Sequence, residues 1–157
     1  VNLRDPSVIV YTLAGYGLLM AIADRLGKSE RNIAGVGLKD ALIIGCAQAL
    51  ALVPGTSRSG ITITAARFLG FARQDAARFS FLLSAPVILL AASYKFLQLV
   101  TGDEAVEWAQ LGLGALVSCV VAYLSIEFFM RFVTRIGLAP FAIYRLILAA
   151  IIFYVLV

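Results

Sequence analysis

Four long stretches of this chain carry few charges or none: Val8–Ala23, Phe79–Val100, Leu111–Ile126 and Ala139–Val157. A helix that crosses a bilayer needs roughly 20 mainly apolar residues, with some latitude for tilt. Lipid offers no partner to backbone N–H and C=O groups, so only helices and closed barrels can span it. Soluble domains run at about 45–50% apolar and about 25% charged residues. This chain stands at 62% and 14%, with a mean hydropathy of +0.97. The fold class expected is an all-α membrane protein, a polytopic helical bundle.

The formal net charge of +4 does not point to a nucleic-acid partner. The basic residues stand singly or in short segments between apolar runs, the distribution that the positive-inside rule describes. Cys46 and Cys119 lie in apolar segments without metal-type spacing and read as inert packing residues. No signal peptide is evident. The chain opens at Val1 rather than at a methionine, so a piece of a longer protein is expected.

The first helix is expected over Val8–Leu26, with Asp24 and Lys28 at helical spacing near its end. A polar, basic loop follows from Arg25 to Lys39. Two short segments come next, Leu38–Val53 and an amphipathic Ser57–Phe71, divided by the strong breaker Pro54-Gly55. Neither comfortably crosses a hydrocarbon core of about 30 Å. They read as a re-entrant pair over about residues 38–72, entering and leaving on one side, with Pro54–Thr62 at the deep tip. Arg73–Arg78 and Arg131–Arg135 are expected as further basic loops, whereas Thr101–Glu107 holds Asp103, Glu104 and Glu107 with no Lys or Arg. Placing all basic loops in the cytoplasm gives a consistent path with a re-entrant middle pair. Two full spans there would preserve parity but are too short.

The tip, PGTSRSGIT, sets hydroxyls, an arginine and two glycines between apolar runs. Ionisable groups at membrane depth are costly and mark function by default. Arginine offers a planar fork of donors suited to phosphate oxygens. Glycine allows close backbone approach, and a helix starting there would add its positive dipole end. The chemistry on offer is anion binding inside a membrane.

That run, with Gln48 upstream, FSFLLSAP (Phe79–Pro86) downstream and the closing PFAIYR (Pro140–Arg145), closely resembles the bacterial undecaprenyl-diphosphate phosphatase family. The resemblance covers essentially the whole chain but only the C-terminal half of the family's pattern. It implies one half of an inverted-repeat fold, each repeat with a re-entrant pair, forming a single transmembrane domain over residues 1–157. The implied activity is hydrolysis of undecaprenyl diphosphate to undecaprenyl phosphate and phosphate, which recycles the carrier for peptidoglycan synthesis and confers bacitracin resistance. A bacterial inner-membrane, multi-pass location is implied, with the active site facing the periplasm. The implied cofactor is a divalent metal, Mg²⁺ or Ca²⁺. The partners expected are the undecaprenyl diphosphate lipid, the bilayer, a missing N-terminal repeat and a second copy as homodimer. The family's glutamate-rich motif and its serine- and histidine-containing turn are not in this chain, which has no histidine. No metal ligand is therefore assigned here, and the chain alone is expected to be inactive.

The resemblance and the residue chemistry together give the roles. Arg58 would bind the diphosphate and stabilise charge developing on the transferred phosphoryl group; its structural alternative is bonding to helix C-terminal carbonyls. Ser57 and Ser59 would donate hydrogen bonds to phosphate oxygens. Ser57 is a candidate nucleophile only if a base reaches it from elsewhere. Thr62 would either bond the ligand or cap the second re-entrant helix. Gly55 and Gly60 would permit the turn and close approach to phosphate. Gln48 would line the cavity or bond neighbouring helices. Glu127 and Arg131 form a structural i, i+4 pair, and Arg145 and Lys95 are expected to snorkel to the interfaces. Trp108 and Tyr94 suit an aromatic belt. A lipid-phosphate transporter or flippase could use the same cradle; an accessory membrane subunit would leave it unexplained.

Overall fold

The structure, a computed structural model, describes residues 5–102 and 107–156. Asp103 and Glu104 of the acidic segment and Val157 lie outside the described residues. Among the described residues six α-helices form: α1 Pro6–Leu26, α2 Leu38–Ala49, α3 Arg58–Phe68, α4 Arg73–Thr101, α5 Trp108–Ile136 and α6 Ala139–Leu156. Short 3-10 turns at Ile33–Gly35 and Leu50–Leu52 precede α2 and extend it. The protein is an all-α membrane protein. Helices α1, α4, α5 and α6 are long and apolar enough to cross a membrane. Helices α2 and α3 have 12 and 11 residues, so at a 1.5 Å rise per residue they reach only about 18 and about 17 Å.

Two expected boundaries are corrected. Arg73–Arg78 is the beginning of α4, and Arg131–Arg135 belongs to the last turns of α5. An apolar run records how far a helix lies in lipid; the hydrogen-bonded helix continues past it into the polar zone. Helix α1 ends at Leu26 as expected; Lys28 falls beyond it, and Asp24 pairs with Arg73. Asp5 caps α1 through the Ser7 N–H, with Pro6 in the first turn where its missing donor costs nothing. Cys46 and Cys119 are free thiols on exposed faces, not packing residues.

The segment expected to be amphipathic is instead the centre of the bundle. In α3, Ile61, Thr62, Ile63, Thr64, Ala66 and Arg67 are all buried, between α1, α2 and α4. The hydroxyl of Thr64 donates to the Gly60 carbonyl at 2.7 Å, so it is satisfied within the helix. Ile63 and Ala66 join Met20, Ile44, Phe71 and Val133 in the main apolar core. Helix α6 runs antiparallel to α1: Val10 and Leu13 pack with Ala149, and Gly17 lies against Ala142 and Arg145.

Arginines hold the base of the bundle. Arg67, 1% exposed, donates to the carbonyls of Phe71, Gly27 and Asp24 at 2.7, 2.7 and 3.2 Å and to the Ser29 hydroxyl at 3.1 Å. It thereby satisfies carbonyls that the ends of α1 and α3 leave open. Gly27 is required there, since an added Cβ would stand 2.9 Å from the Arg67 Cζ. Arg31 grips Asp40 with two nitrogens, at 3.0 and 2.6 Å, and stacks over Phe71 at 4.4 Å. The Glu127–Arg131 pair forms as spaced.

Removing Arg67 strands several carbonyls in the interior, so Arg67→Met is expected to destabilise the protein by about 3 kcal/mol or more, measured by unfolding in detergent. Hydrogen bonds from Arg31 and from the Gly37 N–H hold the Asp40 carboxyl below the usual carboxylate range. A carboxylate depressed in the folded state stabilises above its unfolded pKa, near 4, and loses that contribution as pH falls through the folded value. Asp40→Asn should therefore lower stability at neutral pH and flatten its decline in acid.

Candidate functional site

Helix α2 ends in a 3-10 turn, and the chain reverses through Pro54 and Gly55 before α3 begins. Gly55 has φ +87. An added Cβ there would lie 2.9 Å from the Ile9 carbonyl and collide with the Thr12 hydroxyl, so only glycine fits. Thr12 pins the turn to α1 by donating to the Pro54 carbonyl at 2.7 Å. Ser57 is the N-cap of α3, its Oγ accepting the Gly60 N–H at 3.2 Å. Its hydroxyl also lies 3.3 Å from that of Ser59. The first N–H groups of α3 therefore open beside two hydroxyls, an anion-binding geometry.

Beneath this turn lies a cavity of about 430 Å³. Its roof is polar: Thr56, Ser57, Ser59 and the backbone of Gly55 and Gly60. Leu13, Met20 and Ile63 line one side; Phe129, Leu138, Phe141 and Tyr144 line the other. Arg145 joins roof to wall. It is 5% exposed, and its Nη2 donates to the Gly55 carbonyl at 2.8 Å. A Cβ on Gly60 would come within 3.0 Å of its Nη1. Its Nε and the Thr56 hydroxyl are both buried without a protein partner. Two unsatisfied polar groups at one cavity wall are what an oxyanion ligand would complete.

Arg145 was missed by sequence reasoning. Expected to snorkel outward, it turns inward, because the face it shares with Leu138, Ala142 and Ala149 packs on α1 and is buried throughout. Its place two turns inside an apolar helix was the available signal. The structure brings Gly55, Ser57, Ser59 and Gly60 together at the roof. Arg58, the first residue of α3, is half-buried and does not line the cavity.

Thr62 also turns away. It is 1% exposed, donates to the Arg58 carbonyl at 2.9 Å and meets the Ser80 hydroxyl at 2.6 Å. It neither lines the cavity nor caps α3, whose cap is Ser57; it ties the motif to α4. Gln48 stands on α2 outside the lining, with a buried Oε1 that lacks a partner. Lys95 bonds Gln98 at an exposed position, and Trp108 packs edge-on against Phe96.

No carboxylate lines the cavity, and no group of three His, Cys, Asp or Glu side chains gathers among the described residues. The hydroxyls and guanidinium present suit an anion, not a divalent cation. They do not fit the expected Mg²⁺ or Ca²⁺ as its direct ligands.

Residues 1–151 match the family described as bacitracin resistance protein BacA. The chain is 54% identical over 152 residues to a protein named undecaprenyl-diphosphatase from Nitrosococcus oceani, covering 97% of this chain and 57% of that protein. Identity is 53% over 152 residues to the undecaprenyl-diphosphatase of Teredinibacter turnerae, with 97% and 58% covered. It is 50% over 153 residues to undecaprenyl-diphosphatase 2 of Stutzerimonas stutzeri, with 96% and 57% covered. The chain thus spans a little over half the length of these curated relatives.

Gly55→Ala is expected to cost about 2 kcal/mol or more, combining left-handed strain with the clash on α1. Thermal unfolding in detergent measures it. Ser80→Ala removes one neutral buried hydrogen bond and should cost only about 1 kcal/mol. A larger loss would mean that Thr62 depends on Ser80 for its orientation.

Proposed function

The chain belongs to the bacitracin resistance protein BacA family, and on that footing we propose that it forms the phosphate-gripping part of an undecaprenyl-diphosphatase. The reaction is hydrolysis of a phosphoric anhydride. Water attacks the terminal phosphorus and the bond to the bridging oxygen breaks, or a serine makes that attack first and water then hydrolyses the phosphoserine formed. Undecaprenyl phosphate and inorganic phosphate leave. One observation carries this reading: the start of α3 and the buried Arg145 converge on the roof of an apolar cavity, beside polar atoms that lack partners. A charged head under a long prenyl tail has that same division of chemistry.

The roles follow from position. Arg145 and the open N–H groups of α3 would hold phosphate oxygens and stabilise charge that grows as the anhydride breaks. Ser57 and Ser59 would donate hydrogen bonds, with Gly55 and Gly60 giving the backbone close access. Arg58 would reach the diphosphate from the outer side of the turn. A nucleophilic Ser57 needs a base, and the chain holds no histidine. Mg²⁺ or Ca²⁺ belongs to the proposal only as a companion of the phosphate oxygens, with its carboxylates supplied from outside these residues.

We place α2 and α3 as a re-entrant pair, because neither has the length to cross. Arg25 and Lys28 stand at the end of α1, Lys39 and Arg73 at the starts of α2 and α4, and Arg131 and Arg135 in the last turns of α5, whereas the Pro54–Gly55 turn lies at the other ends of α2 and α3. By the positive-inside rule the basic end is cytoplasmic, and the site opens toward the periplasm across the inner membrane. An N-terminal repeat or a second copy would cover the apolar faces of α4 and α5 exposed here.

The test is phosphate release from a polyprenyl diphosphate by the full-length protein in detergent. Arg58→Ala and Arg145→Ala are each expected to lower turnover by about 10²-fold or more, the scale of losing one charge-stabilising donor. Turnover near wild type in either variant removes that arginine from the chemistry. Lipid translocation by wild-type protein with no phosphate released would replace the phosphatase by a carrier.

A further inference from the structure

The base of the bundle holds a carboxylate that the proposed chemistry does not use. Asp24, in the last turn of α1, is 6% exposed. Arg73 donates to it twice, from Nε at 2.6 Å and from Nη2 at 3.1 Å. The backbone N–H of Leu138 donates to its Oδ2 at 3.1 Å, and Arg67 Nε lies 3.9 Å from its Oδ1. Gly137, with φ +82, leaves room for the carboxylate; a Cβ there would sit 2.8 Å from Oδ2. One side chain thus fixes the starts of α4 and α6 to the end of α1. A negative charge beside the residue that leads into α6 also suits the positive end of that helix.

The spacing carries this contact up to the cavity. Arg145 lies two turns along α6 from Leu138, the residue just before that helix, and Asp24 and Gly17 are two turns apart on α1. Because the helices are antiparallel, the Asp24–Leu138 bond and the Gly17–Arg145 contact close the two ends of one span. At its upper end the two helices are in contact: a Cβ on Gly17 would touch the Arg145 Cβ at 3.4 Å. On the other side, Arg73 opens α4 directly after the short link from α3, the helix whose far end presents Ser57–Gly60. The helix bearing Arg145 and the helix bearing the turn are both anchored to the same carboxylate.

We propose that Asp24 is a positioning residue: it sets the register of α6 and of the α3–α4 arm against α1, so that Arg145 meets the Gly55 carbonyl and the Ser57–Gly60 turn. Its effect on turnover rests on the phosphate-site reading above; the register itself does not. Asp24→Ala removes both ties, whereas Asp24→Asn keeps an acceptor for Leu138 and removes the ion pair.

Two readouts in the full-length protein test this. Spin labels at Leu52→Cys and Tyr154→Cys, positions 85% and 90% exposed, report the distance between the hairpin and α6 once other cysteines are removed. Kinetics on a polyprenyl diphosphate report kcat and KM. Asp24→Ala should shift or broaden the distance distribution and lower kcat by about ten- to hundred-fold, the scale of an ångström of misplacement. KM should move less, because the apolar cavity still holds the lipid. Asp24→Asn should fall between, and Arg73→Lys should act in the same direction if the alanine variant does not fold. Distances unchanged from the parent, or kcat unchanged where the distance shifts, would overturn the proposal. Wild-type protein that releases no phosphate would overturn the phosphatase reading alone, and the distances would still decide the register.

Discussion

A guanidinium taken out of water is costly unless acceptors surround it, and in this fold the open ends of helices supply them. Arg67 takes the carbonyls that α1 and the end of α3 leave unpaired. Arg31 takes those of Leu69 and Gly35, and Arg145 takes that of Gly55. The same bonds serve both partners: the guanidinium Nη groups find acceptors, and open carbonyls at the element ends find donors. Two helices too short to cross a bilayer can stand inside a bundle because arginines close their ends.

That arrangement explains the division of labour along α3. Its C-terminal end is locked by Arg67 and the Asp24 cluster, and its N-terminal end is left open. Ser57 caps only one donor, through Gly60. The neighbouring N–H groups, the Thr56 hydroxyl and the Arg145 Nε stay available at the roof of an apolar cavity. Rigid support at one end and unmet hydrogen-bonding capacity at the other are what a preorganised oxyanion site requires.

Much of this was legible in the sequence, because lipid enforces simple rules. The spanning helices followed from charge-poor runs, and the short pair followed from Pro54-Gly55 between segments of insufficient length. The turn residues Gly55, Ser57, Ser59 and Gly60 were legible from their chemistry, and they do gather at one cavity. What stayed hidden depends on pairings across the fold. Arg145 meets Gly55, and Asp24 meets Arg73 and Leu138, through contacts between residues 90, 49 and 114 positions apart. Local spacing carries no record of them. Thr62 looked like a ligand or a cap because its partner, Ser80, lies on another helix. The helix ends were misjudged because apolar runs mark the depth of lipid, not the length of the hydrogen-bonded ladder.

The proposed activity requires the guanidinium-lined roof to grip a diphosphate inside the membrane. Equilibrium binding of a non-hydrolysable, methylene-bridged polyprenyl diphosphonate to full-length protein, compared with its Arg145→Gln variant, tests that grip without any chemistry. Loss of a charge-assisted contact to phosphate is expected to weaken binding by about ten-fold or more, with affinity for the uncharged polyprenol unaltered. Equal affinity of both proteins for the diphosphonate would contradict the account.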